Sequence, residues 1–141
     1  MSRSVTAPFC PCGKLECAGV PWRPLGYAHC CGCYLDDLAG TPALDAESLM
    51  RSRYSAFVLE RADYLLATWH SNSRPLTIEF DPDVKWRGLE VCRHCLQDAT
   101  HAEVEFVARQ KSPGRPALRL HERSRFVREG GRWLYVAGDQ L

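Results

Sequence analysis

Residues 101–110 read HAEVEFVARQ, and residues 117–129 read ALRLHERSRFVRE. Both stretches alternate with a period of two, which points to an antiparallel sheet. In the first stretch Ala102, Val104, Phe106 and Ala108 fall on one side, with Glu103, Glu105 and Arg109 on the other. That alternation is the mark of a half-buried strand. In the second, Leu118, Leu120 and Phe126 share a face with Glu122 and Ser124, opposite Arg119, His121, Arg123 and Arg125. Lys111-Ser112-Pro113-Gly114-Arg115-Pro116 has the composition of a hairpin-like link between them. Glu129-Gly130-Gly131-Arg132 turns the chain again, into WLYVAG at 133–138. Upstream the period changes. A helix is expected to start after Thr41 or Asp45, because proline suits the first helical position and aspartate suits a cap. Leu49, Met50, Phe57 and Val58 then recur at helical spacing, with a break near Glu60-Arg61. A second helix follows to about Trp69, carrying Ala62, Leu65, Leu66 and Trp69 on one face, and Ser71–Pro75 is a turn. Helices first and an antiparallel meander second predict an α+β domain, with the helices on one face of the sheet.

The length of 141 residues suits one domain with a small appendage, and the 45% hydrophobic and 25% charged content is that of a globular chain. A net charge of +1 gives no bulk attraction to nucleic acid or anionic lipid. Fifteen of the eighteen basic residues are arginine, which reads as composition bias before it reads as function. The N-terminus, MSRSVTAPFCPCG, has no apolar stretch of signal-peptide length, and no apolar run nears the roughly 18 residues that span a bilayer. A cytoplasmic protein without membrane contact is the expectation.

Of eight cysteines, six lie between Cys10 and Cys33. The first 40 residues also hold four prolines and five glycines and little periodicity, so they need a staple in order to fold. In a reducing compartment clustered cysteines point to a metal rather than to disulfides. Thiolates suit Zn²⁺, and two close pairs, Cys10-Pro11-Cys12-Gly13 and Cys30-Cys31-Gly32, can surround one ion. Cys17 and Cys33 are spare thiols, either of which could replace a ligand. Four thiolates close the coordination shell, which makes such a site structural. The second pair, Cys92-Arg93-His94-Cys95, follows a strand-like WRGLEV at 86–91. On a regular strand residues three apart face opposite ways, so one core thiol and one surface thiol without joint chemistry are expected, and a shared metal or redox pair there requires a bulge or a turn.

CPCG at 10–13 and GYAHCCG at 26–32 resemble the SEC-C zinc motif, which also occurs at the C-terminus of the SecA preprotein translocase in protein and membrane contacts. The strings LMRSRYSAFVLERADYLLATWH (49–70), VEFVAR (104–109) and LHERSRFVREGGRWLYVAGD (120–139) resemble the YchJ-like family of small bacterial proteins. The resemblance implies a SEC-C zinc segment over 1–40 and a nuclear-transport-factor-2-like domain over 41–141. That domain would be a cone of helices packed on a strongly curved antiparallel sheet. It also implies Cys10, Cys12, Cys30 and Cys31 as the zinc ligands. The chain departs from the motif in the wider gap between Cys12 and Cys30, where the stretch Lys14–Leu25 inserts Cys17, two prolines and Trp22.

Such a cone encloses a pocket, and its candidate lining is Arg51, Arg53, Tyr54, Tyr64, Trp69, His70, His121, Glu122 and Trp133. Glu122, on the apolar face of its strand, is the candidate acid or base. A pairing of Glu122 with Arg51 or Arg53 is the favoured alternative. His70 suits a helix C-terminus. Arg119, Arg123 and Arg125 could meet phosphate, but they could also pair with Glu103 and Glu105 across strands, and nucleic acid is not expected. The expected function is that of a zinc-binding, non-enzymatic protein-interaction module of unknown biochemical role, monomeric or homodimeric. A small-molecule binder or enzyme working through Glu122 is the alternative, and a zinc or redox sensor is a third reading.

Overall fold

A computed structural model of the chain describes residues 9–16, 23–24 and 26–141. Cys17, Trp22 and most of the insertion lie outside the described residues. The short strands β1 (Leu15–Glu16) and β2 (Arg23–Pro24) pair antiparallel. A 3-10 turn at Tyr27–His29 leads into α1 (Gly32–Leu35). Two longer helices follow, α2 (Ala46–Val58) and α3 (Ala62–Ala67). Then come β3 (Lys85–Asp98), β4 (His101–Lys111), β5 (Leu118–Glu129) and β6 (Arg132–Gln140).

Asp45, and not Thr41, opens α2: its side chain accepts a hydrogen bond from the Ser48 N–H at 2.7 Å, satisfying one of the donors a helix start leaves free. The break expected near Glu60 is a reversal with two capping bonds. The Arg61 N–H donates to Ala56 O at 2.8 Å and the Glu60 N–H to Phe57 O at 3.3 Å, with Glu60 left-handed at φ 57°. Helix α2 is buried on most of its circumference, from Leu49 and Tyr54 to Ser52 and Ser55. It meets the sheet on one side and α1 and α3 on others. Within the α2–α3 contact, the hydroxyls of Ser52 and Tyr64 lie 2.7 Å apart, fully buried.

The four long strands form one antiparallel sheet in the order β3-β4-β5-β6. Register follows the alternation read from the sequence: Val104 opposes Ser124, Ala102 opposes Phe126, and Glu105 opposes Arg123. Ala102, Val104, Ala108 and Phe126 join Leu49, Leu65, Tyr64 and Trp133 in one core cluster. Fully burying a leucine such as Leu49 or Leu65 contributes about 1.5–3 kcal/mol. The expected cone is not formed. The strand order is linear, the edge strands β3 and β6 do not pair with each other, and the sheet is open rather than curled into a closed wall. Closure of a barrel takes about eight strands for the interior to fill with side chains. A four-stranded meander instead keeps two edges. Bulges interrupt β3 around Arg87, Cys92 and Gln97, which blunts one edge. The other edge is partly covered, because Trp69 bridges Tyr135 in parallel and the backbones of His70 and Thr68 bond to Tyr135. Among the described residues no helix is long and apolar enough to cross a membrane.

Candidate functional site

Cys10-Pro11-Cys12-Gly13 is a tight turn, closed by the Gly13 N–H donating to Cys10 O at 3.1 Å, with Gly13 at φ 74°. Proline in the second position and glycine in a left-handed conformation are what such a turn selects. On the other side, the Cys30 N–H donates to Tyr27 O at 3.0 Å and the Cys33 N–H to Cys30 O at 3.1 Å. These two loops bring the sulfurs of Cys10, Cys12, Cys30 and Cys31 within 4.8 Å of one another. Three of the four residues are buried. Cys12 and Cys30 sulfurs are 3.6 Å apart, far beyond the ~2.05 Å of a disulfide. Around a tetrahedral Zn²⁺ with bonds of about 2.3 Å, sulfurs sit ~3.8 Å apart. The donor set and its spacing therefore fit a metal ion.

The electrostatics agree with that. Hydrogen bonds from the thiols of Cys12, Cys30 and Cys31 hold Cys10 far below the ordinary thiol range. The same contacts to Cys10 and Cys12 push Cys30 and Cys31 up. Against the raising effect of Cys10, hydrogen bonds with Cys30 and Cys31 also lower the Cys12 thiol, to about 7, so negative charge is favoured on the first cysteine pair, where a cation can relieve it. Helix α2 supports the cluster from behind. Arg51 Nη1 donates to Cys12 O at 3.2 Å and lies 3.9 Å from its sulfur, while its Nε donates to Glu47 at 2.9 Å. Ser55 Oγ is 3.5 Å from the Cys10 sulfur. Arg51 and Ser55 are one helical turn apart on one face of α2. The sequence pattern offered that spacing, but nothing in it said that this face meets the cysteines.

The two spare thiols fare differently. Cys33 is exposed and donates to Ala28 O at 3.2 Å, outside the converging set, and Cys17 lies outside the described residues. The second pair does not divide between the two faces of its strand. Arg93 pairs with Glu105 and Cys95 with Glu103, so both face away from the helices. The bulge between Val91 and Arg93 leaves Cys92 as the extra residue and turns its thiol to the same outer face. Neither is a core thiol: Cys92 is exposed and Cys95 half-buried.

A cavity of about 200 Å³ lies between α2 and the sheet, walled by aromatic side chains such as Tyr54, Phe57, Trp86 and Phe126. Of the candidate pocket residues, Arg53, Tyr54, Trp69 and Glu122 line it. Arg51 turns instead to the cysteines, and His121 to the outer face, with its Nε2 2.7 Å from Glu105 Oε2. Tyr64 is locked to Ser52, and His70 Nε2 lies 2.9 Å from Glu129. Trp133 is buried in the core away from the cavity. Glu122 is not paired with arginine. Its carboxylate accepts from Ser124 Oγ at 2.7 Å and from Gln140 Nε2 at 3.0 Å. Arg53 donates to Leu65 O and Thr68 Oγ1, both at 2.8 Å, and stacks over the rings of Trp69 and Tyr135. Burial brings its guanidinium down to about 10. The outer strip of arginines is partly neutralised, since Arg125 pairs with Asp139 and Arg109 with Glu90.

Comparison with known proteins bears on both halves of the chain. The YchJ_M-like family, described as the middle NTF2-like domain of YchJ, matches residues 45–138. A UPF0225 protein of Polaromonas sp. (strain JS666 / ATCC BAA-500) is 73% identical over 130 residues, 92% of this chain and 91% of the relative. A UPF0225 protein of Bordetella pertussis is 52% identical over 141 residues, 99% of this chain and 98% of that one. Among solved structures, a SEC-C motif containing protein from Psychrobacter arcticus superposes with a TM-score of 0.74 at 33% identity, covering 92% of this chain and 80% of that chain. RPA3114, a SEC-C motif containing protein from Rhodopseudomonas palustris, gives 0.72 at 31% identity, covering 84% and 94%.

Proposed function

The chain belongs to the YchJ-like, UPF0225 family, and on that premise we propose that it is a zinc-binding, non-enzymatic module that presents a folded cysteine loop to a protein partner. The observation that carries this reading is the convergence of four sulfurs, Cys10, Cys12, Cys30 and Cys31, three of them on buried residues. The ion is assigned as Zn²⁺ because a tetrahedral all-thiolate set selects it over oxygen-seeking cations. Zinc so held has no open position for water, so its contribution is to folding and shape rather than to chemistry. Arg51 stabilises the set by placing positive charge against a centre that carries excess negative charge once all four thiols are ionised. A cytoplasmic location goes with this reading, because thiols stay reduced there.

The proposed partner surface is the rim of the cysteine loops. Phe9, immediately before the first ligand, is 65% exposed, and Cys33 and Ala28 are exposed nearby. Elemental analysis of the purified full chain should give at least one zinc per chain, one equivalent of which is lost in Cys30→Ser. Cys30→Ser should lose, with that zinc, partners retained by the wild type. Phe9→Ser should lose partners with zinc in place. Zinc-free protein with an intact loop, or partners indifferent to both substitutions, would sink the proposal. A second reading rests on the cavity behind α2, where a small apolar ligand would sit against Arg53 and Glu122. Its signature is ligand-induced quenching of the fluorescence of Trp69 and Trp86, which wall the cavity.

A further inference from the structure

On the sheet face turned away from α2, three adjacent strands each bring one metal-binding side chain to the same point. Cys92 comes from β3, Glu105 from β4 and His121 from β5. Their ligand atoms all lie within 4.8 Å of one another. The register explains the convergence. Glu105 opposes Arg123 and Val107 opposes His121, so Glu105 and His121 are diagonal neighbours on one face. Their Nε2 and Oε2 atoms are 2.7 Å apart. The bulge in β3 supplies the third member. Val91 pairs with Phe106 and Arg93 with Glu105, which leaves Cys92 unpaired in the ladder and aimed at the other two.

We propose that Cys92, Glu105 and His121 form a second metal site, for a single divalent transition-metal ion of the zinc type with one coordination position open to solvent. One sulfur, one imidazole nitrogen and one carboxylate oxygen form a borderline donor set that suits Zn²⁺ and is wrong for Mg²⁺ or Ca²⁺. Bonds of about 2.0–2.3 Å to such a set place the donors ~3.3–3.7 Å apart, so side-chain adjustments of about 1 Å on a rigid sheet complete it. A thiolate and a carboxylate neutralise the ion, which keeps the complex compatible with Arg109, Arg119 and Arg123 on the same face. Side-chain exposure of 28% at both Glu105 and His121, with Cys92 exposed, leaves room for water as a fourth ligand. Sites with three protein ligands and a water are those that can bind or activate an exchangeable ligand. This site is distinct from the buried cysteine set, whose shell is closed.

The test is a metal titration of the purified full chain, first with Zn²⁺ against a competing chelator and then with Co²⁺, whose absorption reports thiolate ligation. The wild type should bind a second ion beyond the one in the buried set. Cys92→Ser and His121→Ala, made separately, should each weaken that second ion by at least about tenfold and leave the first unaffected. Both substitutions are on the outer face of the sheet, and unchanged circular dichroism verifies the fold. Cys31→Ser removes only the first ion, so failure of the buried site and failure of this one are read separately. Absence of a second ion, or a second ion that survives both outer-face substitutions with unchanged affinity, overturns the proposal.

Discussion

At the scale of single residues, Gly32 shows how the cysteine loop depends on positions that bind nothing. A Cβ at Gly32 would lie 2.7 Å from Tyr27 O and 2.8 Å from the Tyr27 ring. The first of these atoms is backbone, and the same carbonyl accepts the bond from the Cys30 N–H. Gly32→Ala must therefore displace the turn that aims Cys30 and Cys31. The expected cost is about 1–3 kcal/mol, the range for overpacking a tight site. Metal affinity should fall although every sulfur is retained, and a chelator competition on the variant measures it. That Cys10, Cys12, Cys30 and Cys31 would converge was legible in the sequence, since close pairs in a loop-rich segment have few other uses. Arg51 was legible only as a charged position on a helix. That it serves the cysteine set, and that Glu122 bonds Ser124 and Gln140 instead of an arginine, follows from which side chains the packing brings together.

At the scale of elements, the end of α2 carries an avoidable strain. Glu60 occupies the left-handed position of a two-bond helix cap, a place glycine fills without steric conflict. The left-handed conformation costs a residue with a Cβ roughly 1–2 kcal/mol, while glycine adds about 0.4–1 kcal/mol of unfolded-state entropy. Glu60→Gly should therefore stabilise the protein by up to about 1 kcal/mol, read as a higher urea midpoint with unchanged slope. The break itself was expected from the pattern at Glu60-Arg61. The bulge at Cys92 was not, because a bulge adds one residue without altering composition or gross alternation. Its consequence is large. It moves a thiol that a regular strand would separate from Cys95 onto the same outer face, beside Glu105 and His121.

At the scale of the whole molecule, the cysteine segment and the sheet share one core. Cys10, Cys12, Cys31 and Leu35 belong to the same cluster of buried residues as Leu49, Val104 and Phe126. Arg132 of β6 adds a tie, donating to Leu38 O at 2.8 Å and Ala39 O at 2.6 Å. A metal bound only by the native state stabilises everything that folds with it. Chelation should thus lower the melting temperature of the whole chain, with amide-exchange protection lost first around Cys10–Leu35 and the start of α2. Protection in β4 and β5 should persist longest, because those central strands carry the densest pairing. A melting temperature indifferent to chelator, in protein shown to contain metal, would separate the two regions.

Local sequence patterns carry the α+β order of elements, the register-setting alternation of β4 and β5, and the two cysteine pairs. Each is a local property, a period or a spacing within a few residues. The open sheet in place of a cone, the direction faced by Arg51 and His121, and the meeting of Cys92 with Glu105 and His121 arise from the assembled fold. These depend on edge pairing, on a one-residue bulge and on contacts between residues far apart in the chain, and local patterning does not encode them.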